Sequence, residues 1–213
     1  MPATDSIASG PASGPTRTLE SDKARRIVEA MRASVAARGA AGATFDHVAR
    51  EAGVSRGLLH YYFGTKERLL VEVVRRDCEI RIARLAASLH GAHTADDFID
   101  GLVRGLEELM EERDGELVVL LFELFTLSRR NEEIAEALAE LSRKMRGHLA
   151  EALREKRDEG VLRLGADPDA VAGFLLALAD GLALRLMVEP DRDASATMAA
   201  SVAAARTLIR DPA

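Results

Sequence analysis

The sequence predicts an all-α protein, and three observations lead to that fold class. Ala, Leu, Glu and Arg recur along the 213 residues, and these residue types have high helix propensity. Phe, Tyr and Trp, which are enriched in strands, make up only 4% of the chain. Apolar residues recur at helical spacing, with neither strand-like alternation nor an internal repeat. Because 47% of the residues are hydrophobic, the helices can enclose a sizeable core.

Residues 1–18, MPATDSIASGPASGPTRT, predict a disordered tail before the first helix. Small and polar side chains dominate this segment, so it has too little apolar surface to offset the entropy lost on ordering. It also lacks the basic start and the apolar stretch of a signal peptide.

The chain carries no sign of export or of a membrane anchor. No apolar run approaches the roughly 18 residues that a membrane-spanning helix needs. The lone Cys78 cannot form an internal disulfide, and we expect it to be a reduced, structural thiol. These observations predict a cytoplasmic location.

The first helix is predicted from Leu19 onward. Ile27, Met31 and Val35 recur at helical spacing, and the pattern stops at Gly39.

Three further helices follow at short intervals. Thr44 can cap a second helix that ends at Gly53, a residue suited to the left-handed backbone after a helix. Ser55 can cap a third helix that runs to about Tyr62, and Thr65 can cap a fourth that covers about residues 66–87. Two short helices across a Gly-containing turn, packed on a longer one, predict a helix-turn-helix unit. Its second short helix should enter the major groove of DNA.

The rest of the chain predicts five more helices. Their openings are Thr94–Asp97, Glu116, Asn131–Glu133 and Asp167-Pro168, and the last helix covers about residues 194–210. We therefore expect three parts: the tail at 1–18, a helix-turn-helix DNA-binding domain at 19–66, and a C-terminal helical domain at 67–213.

Charge is distributed unevenly along the chain. Residues 17–76 carry twelve Lys and Arg against seven Asp and Glu, whereas residues 77–213 carry seventeen against twenty-seven. A basic N-terminal third joined to an acidic remainder is consistent with a module that faces nucleic acid.

The third helix holds the candidate DNA-reading residues. From its start at Ser55, the side chains of Arg56, Leu58, His60 and Tyr61 lie at or near the groove, while Leu59 and Phe63 turn inward. Adjacent residues on a helix cannot both point inward, so the pair Tyr61-Tyr62 is expected to contact sugar and phosphate. In the alternative interpretation all three aromatic residues, with Phe63, belong to the core.

The stretch TFDHVAREAGVSRGLLHYYFGTKERLL, residues 44–70, resembles the tetracycline-repressor-like (TetR) family of bacterial transcriptional regulators. The resemblance covers about residues 24–75, and its motifs are Arg38-Gly39, Thr44, Ala52–Ser55, Tyr62-Phe63 and Lys66. It implies dimeric binding to double-stranded operator DNA, a ligand cavity in the C-terminal helices, and repression relieved by a small molecule.

Two positions depart from the family's pattern, because Leu58 stands where a small polar residue is common and His60 where a tyrosine is common. Lys66 opens the fourth helix, where backbone N–H groups attract phosphate. The predicted DNA-binding residues are Thr44, Ser55, Arg56, Gly57, Leu58, His60, Tyr61, Tyr62 and Lys66.

Residues 117–127, LVVLLFELFTL, predict a helix buried on most sides and interrupted by Glu123. Glu123 is expected to be exposed or paired rather than a ligand contact. Apolar and polarisable side chains on neighbouring helices suggest a cavity for a small hydrophobic effector, although a plain core would need no ligand. The predicted lining is Met110, Leu121, Phe122, Phe125, Met145 and His148.

The last two helices are candidates for a homodimer interface. Small residues such as Ala177 would let another helix approach closely, although an intramolecular core fits the same periodicity. The predicted interface residues are Phe174, Leu178, Gly181, Leu182, Arg185, Val202 and Ile209.

Enzyme signatures are missing from the sequence. The five histidines form no His-Glu-x-x-His set, and His90 and His93 have no Cys or third His nearby to complete a zinc site. No cofactor, metal or catalytic residue is expected. The sequence thus predicts a ligand-responsive regulator, most simply a repressor. The alternatives are an effector-free DNA-binding protein and a ligand-binding or catalytic helical bundle with a vestigial DNA module.

Overall fold

The computed structural model describes residues 22–111 and 115–212, and in these ranges the chain is almost entirely helical. The predicted tail, residues 1–18, lies outside the described residues. The described residues form nine helices: α1 (Asp22–Gly42), α2 (Phe45–Ala52), α3 (Arg56–Phe63), α4 (Lys66–His90), α5 (Ala95–Glu111), α6 (Glu116–Ser128), α7 (Glu132–Asp158), α8 (Pro168–Val188) and α9 (Ser195–Leu208). Two short strands, β1 (Arg163–Leu164) and β2 (Ile209–Arg210), pair antiparallel.

The helices begin at the polar caps that the sequence predicted. The hydroxyl oxygens of Thr44, Ser55 and Thr65 accept hydrogen bonds from the third backbone N–H of α2, α3 and α4, at 3.2–3.3 Å. Asn131 caps α7 in the same way, and Asp167 precedes Pro168 at the start of α8. Each cap satisfies an N–H group that would otherwise lack a partner, so these helix starts are encoded locally.

Helices α1–α3 form the predicted helix-turn-helix unit. Gly53 ends α2 with φ 64°, a left-handed backbone that lets α3 begin three residues later at a sharp angle. α3 buries only Leu59 and Phe63 against α1 and α2, as predicted. Gly39 breaks the regular geometry of α1 with φ 67° and ψ 168°, at the residue where the sequence pattern stops.

One hydrophobic core joins the helix-turn-helix unit to the remainder of the chain. Residues of α1–α3 pack with the first half of α4 and with α6 and α7, whereas a second core lies at the far end of α4. α4 therefore contributes to both ends of the molecule. The boundary at residue 66 remains a prediction, and it crosses a continuous core.

The end of the chain differs from the sequence prediction. We expected the last helix to continue to residue 210, but α9 ends at Leu208 and Ile209 enters β2, opposite Leu164. Ile209 retains only 1% of its exposed surface. Extended backbone at residue 209 places the Ile209 side chain in the second hydrophobic core. This burial outweighs the helical pattern of the sequence, so the chain pairs as a strand here.

Helix α8 contradicts the prediction that no apolar run approaches membrane-spanning length. α8 is long and apolar enough to cross a membrane by length and composition alone, and most of its apolar stretch is not buried within the described chain. Core helices of globular proteins pass the same test, so this feature raises the question of what covers α8.

Candidate nucleic-acid interface and ligand cavity

The exposed face of α3 presents the chain's two tyrosines. Tyr61 is 63% exposed and Tyr62 is 40% exposed, and their rings meet edge to face with centroids 5.2 Å apart. Burial of Leu59 and Phe63 on the opposite side fixes this orientation. The alternative that all three aromatic residues belong to the core is wrong, because only Phe63 is buried.

Arg56, the first residue of α3, is held on the surface by two neighbours. Its Nη1 donates to both carboxylate oxygens of Asp46 on α2, at 3.2 and 3.3 Å. Its Nε lies 3.3 Å from Nε2 of His60, one turn along α3. The His60 ring also packs edge-on against Phe45, and its Nδ1 lies 3.2 Å from the Gly64 carbonyl oxygen. These contacts hold the guanidinium at the surface, between α2 and α3.

The other predicted DNA contacts surround this face. Thr44 and Ser55 are exposed caps whose hydroxyls lie at the starts of α2 and α3. Gly57 is exposed and Leu58 is half-buried. All four lie in α3 or at the residues that cap α2 and α3, and their contact with DNA stays a prediction.

Lys66 does not point toward this face, and its predicted phosphate role is corrected by the structure. Its ammonium donates hydrogen bonds to the carbonyl oxygens of Ala40, Ala41 and Ala43, at 2.8, 3.2 and 3.3 Å. These carbonyls lie at the end of α1, where helical partners run out. A cation at a helix C-terminus is also favoured by the helix dipole, so Lys66 joins α4 to α1.

A cavity of about 350 Å³ lies among α4, α5, α6, α7, α8 and α9. Its volume falls within the range of small-molecule pockets, about 300–1,000 Å³. Leu121, Met145 and His148 contribute to its lining, as the sequence suggested. Aliphatic side chains dominate the wall, and no described lining residue is Phe, Tyr or Trp.

Three residues predicted to line the cavity lie elsewhere. Met110 and Phe122 pack into a small core with Leu106 and Val118, while Phe125 is 46% exposed on the outside of α6. The apolar character of residues 117–127 showed that α6 is largely buried but could not show which neighbour each side chain meets. Glu123 likewise lies outside the cavity lining, with its carboxylate beside Gly39 of α1.

Two ionisable groups in the cavity wall have pKa values that burial shifts. Burial raises the pKa of the Cys78 thiol to about 12, with a smaller contribution in the same direction from the Asp77 carboxylate. Cys78 is therefore a protonated, structural thiol at neutral pH, as predicted. Desolvation also raises the pKa of Asp180, on α8.

The predicted dimer residues divide between two sides of α8 and α9. Phe174, Gly181 and Arg185 lie on the exposed side, and Phe174 keeps 41% of its surface. Leu178, Leu182 and Val202 line the cavity instead, and Ile209 is buried at the strand pair. The prediction is wrong for Leu182 and Ile209, because the chain itself covers them. Leu178 and Val202 are only partly buried, so their place in an interface stays a prediction.

The exposed side of α8 forms a continuous apolar surface, which we name the bare α8 face. Its members recur at helical spacing and are all exposed: Ala170, Phe174, Ala177, Gly181, Leu184 and Val188. A side chain built on Gly181 would meet no atom within 4 Å. Sequence reasoning missed Leu184 and Val188, although both continue the spacing of Phe174 and Gly181.

Sequence reasoning also missed two acidic residues. Asp46 orients Arg56, but nothing in the sequence indicated that α2 and α3 bring them together. Asp180 lines the cavity, and it did carry a signal: it is the lone charged residue between Ala170 and Leu184.

Comparison with protein families gives two matches that together span most of the chain. Residues 27–73 match the family model of bacterial regulatory proteins, tetR family. Residues 98–210, more than half of the chain, match the model for the C-terminal part of BetI-type transcriptional repressors.

Comparison with individual proteins also finds transcriptional regulators. The chain is 27% identical over 167 residues to the HTH-type transcriptional regulator BetI of Rhizobium meliloti, a match that covers 78% of this chain and 79% of that protein. A tetR-family regulator from Mesorhizobium loti has a similar fold, with a TM-score of 0.74 at 21% identity, covering 91% of this chain and all of that one. A regulator from Saccharomonospora viridis in complex with choline gives a TM-score of 0.71 at 24% identity, covering 88% and 97%.

Proposed function

Because the chain belongs to the tetR family of bacterial transcriptional regulators, with a BetI-type C-terminal domain, we propose that it is a homodimeric repressor released from its operator by a small molecule. In this proposal α1–α3 bind DNA, α8 and α9 form the dimer, and the cavity holds the effector. The site of action would be the cytoplasm, where the operator lies.

The observation that carries the proposal is the exposed face of α3. Arg56, Tyr61 and Tyr62 project from a helix that is anchored by only two buried side chains. An arginine at the start of a recognition helix can donate to O6 and N7 of guanine, whereas tyrosine hydroxyls donate to phosphate. The first contact would read sequence and the second would fix the helix on the backbone.

His60 and Leu58 would add further contacts to the bases in the major groove. His60 stands beside Arg56 on the same face, and Leu58 is half-buried next to it. An aliphatic side chain in the groove can contact a thymine methyl group.

Dimerisation would cover the bare α8 face. This face has no partner within the described chain, and a row of apolar residues the length of a 21-residue helix is unfavourable in water. Gly181 and Ala177 leave space for a second helix to approach closely. A second copy related by a two-fold axis would set two α3 helices about one DNA turn, roughly 34 Å, apart.

The cavity supports an effector rather than an effector-free protein, because a packed core would leave no comparable space. The structurally similar S. viridis regulator was solved in complex with choline, so binding of a small molecule has a precedent in this fold. The effector would act by binding one shape of the domain better than another.

A buried ion pair between α1 and α4 would transmit the change in domain shape from the cavity toward the DNA. Arg32 of α1 pairs with Asp77 of α4, and it also donates to Glu29 at 2.8 Å. The next residue, Cys78, lines the cavity. A shift of α4 around an effector would therefore move α1, and with it the helix-turn-helix unit.

Binding-site selection with fragments of the source genome would test the DNA part of the proposal. We expect one or a few near-palindromic fragments to be enriched, and their affinity to fall as salt rises because phosphate contacts release counterions. Footprinting should show two protected half-sites about one helical turn apart. Equal affinity for all fragments and for bulk DNA would contradict the proposal.

A further inference from the structure

We propose that Asp46 is a specificity-determining residue for DNA, which acts by positioning the guanidinium of Arg56 for one base. This inference rests on the proposed DNA-binding function, and it adds the residue that sets how strictly Arg56 reads sequence. Its basis is a chain of contacts that runs from α2 through Arg56 to the end of α3.

The contacts of Arg56 occupy two of its three guanidinium nitrogens. Nη1 donates to both carboxylate oxygens of Asp46, at 3.2 and 3.3 Å, and Nε lies 3.3 Å from Nε2 of His60. Among the residues that the structure describes, none accepts a hydrogen bond from Nη2. Nη1 carries two hydrogens, so one can serve the carboxylate while the other remains, together with Nη2, for DNA. Two N–H groups on one edge of a guanidinium match the O6 and N7 acceptors of guanine.

The second partner of Arg56 is itself fixed in place. An arginine Nε can only donate, so Nε2 of His60 must accept and the ring proton belongs on Nδ1. Nδ1 lies 3.2 Å from the Gly64 carbonyl oxygen, which accepts that N–H. The ring also packs edge-on against Phe45, the residue before Asp46. The guanidinium is therefore held by groups of both α2 and α3.

Holding Arg56 matters because a free arginine also binds phosphate. A long side chain at the start of α3 could reach phosphate oxygens on any sequence, and such contacts carry no base information. A guanidinium that is already held loses less entropy when it meets a guanine. The side chains of Arg56 and Asp46 are both more than half exposed, so their pair has the strength of a surface ion pair. That strength corresponds to about two- to fivefold in an equilibrium constant.

The carboxylate also limits binding to DNA in general. Asp46 is an exposed negative charge in the first turn of α2, next to a residue that is proposed to contact DNA. Phosphates that approach this side meet its repulsion on every sequence. Asp46 thus lowers the affinity for bulk DNA while it supports the contact of Arg56 with guanine, and both effects raise selectivity.

Binding of the full-length protein to a selected operator, to its single-base variants and to bulk DNA would test this role. We expect Asp46→Asn to lower the preference for one base pair in each half-site by about two- to fivefold, with the other positions unchanged. Its affinity for bulk DNA should rise. Glu51→Gln, which removes a charge from an exposed position near the other end of α2, should leave every single-base preference unchanged.

A double-mutant cycle shows whether Asp46 acts through Arg56. In the Arg56→Ala background we expect Asp46→Asn to have no further effect on base preference, because the group that it positions is gone. A purely structural role, such as favouring the start of α2 through the helix dipole, would appear in both backgrounds and in the melting temperature.

Unchanged base preferences in Asp46→Asn, or equal changes with and without Arg56, would overturn the inference. If the protein selects an operator and Arg56→Ala alters its base preference, the proposed function stands whatever the result for Asp46. Equal affinity of the wild-type protein for all sequences would contradict the proposed function, and the role of Asp46 would fail with it.

Discussion

The ammonium of Lys66 lies 2.8 Å from the carbonyl oxygen of Ala40, which places a cation at the end of α1 rather than at the DNA-facing surface. The carbonyl oxygens of Ala41 and Ala43 accept from the same group. One side chain therefore satisfies three acceptors at a helix end that Gly39 has already distorted. Through this contact the start of α4 fixes the position of α1 in the helix-turn-helix unit.

Lys66→Ala is expected to destabilise the protein by about 1–3 kcal/mol, because the half-buried carbonyls lose their shared donor. The melting temperature measures this effect. The slope of log affinity for DNA against log salt should stay unchanged, since no phosphate contact is removed. Arg143→Ala, at an exposed position of α7, is the matched control. A normal melting temperature with a slope smaller by about one would show that Lys66 contacts phosphate after all.

Arg56→Ala is expected to cost about 1–3 kcal/mol of operator affinity and to relax sequence preference at one base pair of each half-site. The reason is that Arg56 is an exposed cation at the start of α3, held in place by Asp46 and His60. Affinities for an operator and its single-base variants measure both effects.

Tyr61→Phe provides the comparison, because it removes one hydroxyl that is proposed to bind phosphate. It should weaken binding to all operator variants by a similar factor. If Arg56→Ala also weakened every variant equally, Arg56 would be a backbone contact and not a base-reading residue.

Phe174→Glu combined with Leu184→Glu is expected to give monomers that lose operator binding, because both residues belong to the bare α8 face. Light scattering measures the mass, and a DNA-binding assay measures the function. Ile80→Glu, an exposed apolar position on α4, should leave the dimer intact. A dimer that survives the double substitution would show that another surface holds the two copies together. Leu178 and Leu182 are unsuitable for this test, because they line the cavity.

Cys78 is expected to resist thiol reagents in the folded protein at pH 7–8. Its pKa of about 12 leaves almost no thiolate at that pH, and the side chain is buried. Labelling followed by mass spectrometry should detect modification only after denaturation, and mild peroxide should not change DNA binding. Rapid labelling of the native protein would contradict the structural role of this thiol and would indicate redox sensing instead.

The locally encoded features of the fold could be predicted from the sequence. Thr44, Ser55 and Thr65 begin helices because each hydroxyl bonds to a backbone N–H three residues ahead, and Gly53 ends a helix because it accepts a left-handed backbone. The adjacent pair Tyr61-Tyr62 on the exposed side of α3 follows from the same kind of reasoning, since helix geometry separates neighbouring side chains by about 100°. The family resemblance rests on these same residues.

The tertiary structure alone decided which neighbour each side chain meets. Phe122 and Phe125 had the right composition for a cavity lining but face a small core and the surface, whereas Asp180 lies in the cavity wall. Along α8, Leu178 and Gly181 belong to one sequence pattern yet lie on opposite faces. A 3.6-residue period identifies the residues that share a face, but the faces that are covered depend on contacts between residues far apart in the chain. For the same reason the sequence put a cation at residue 66, and only the packing of α4 against α1 directed it to the Ala40 carbonyl oxygen.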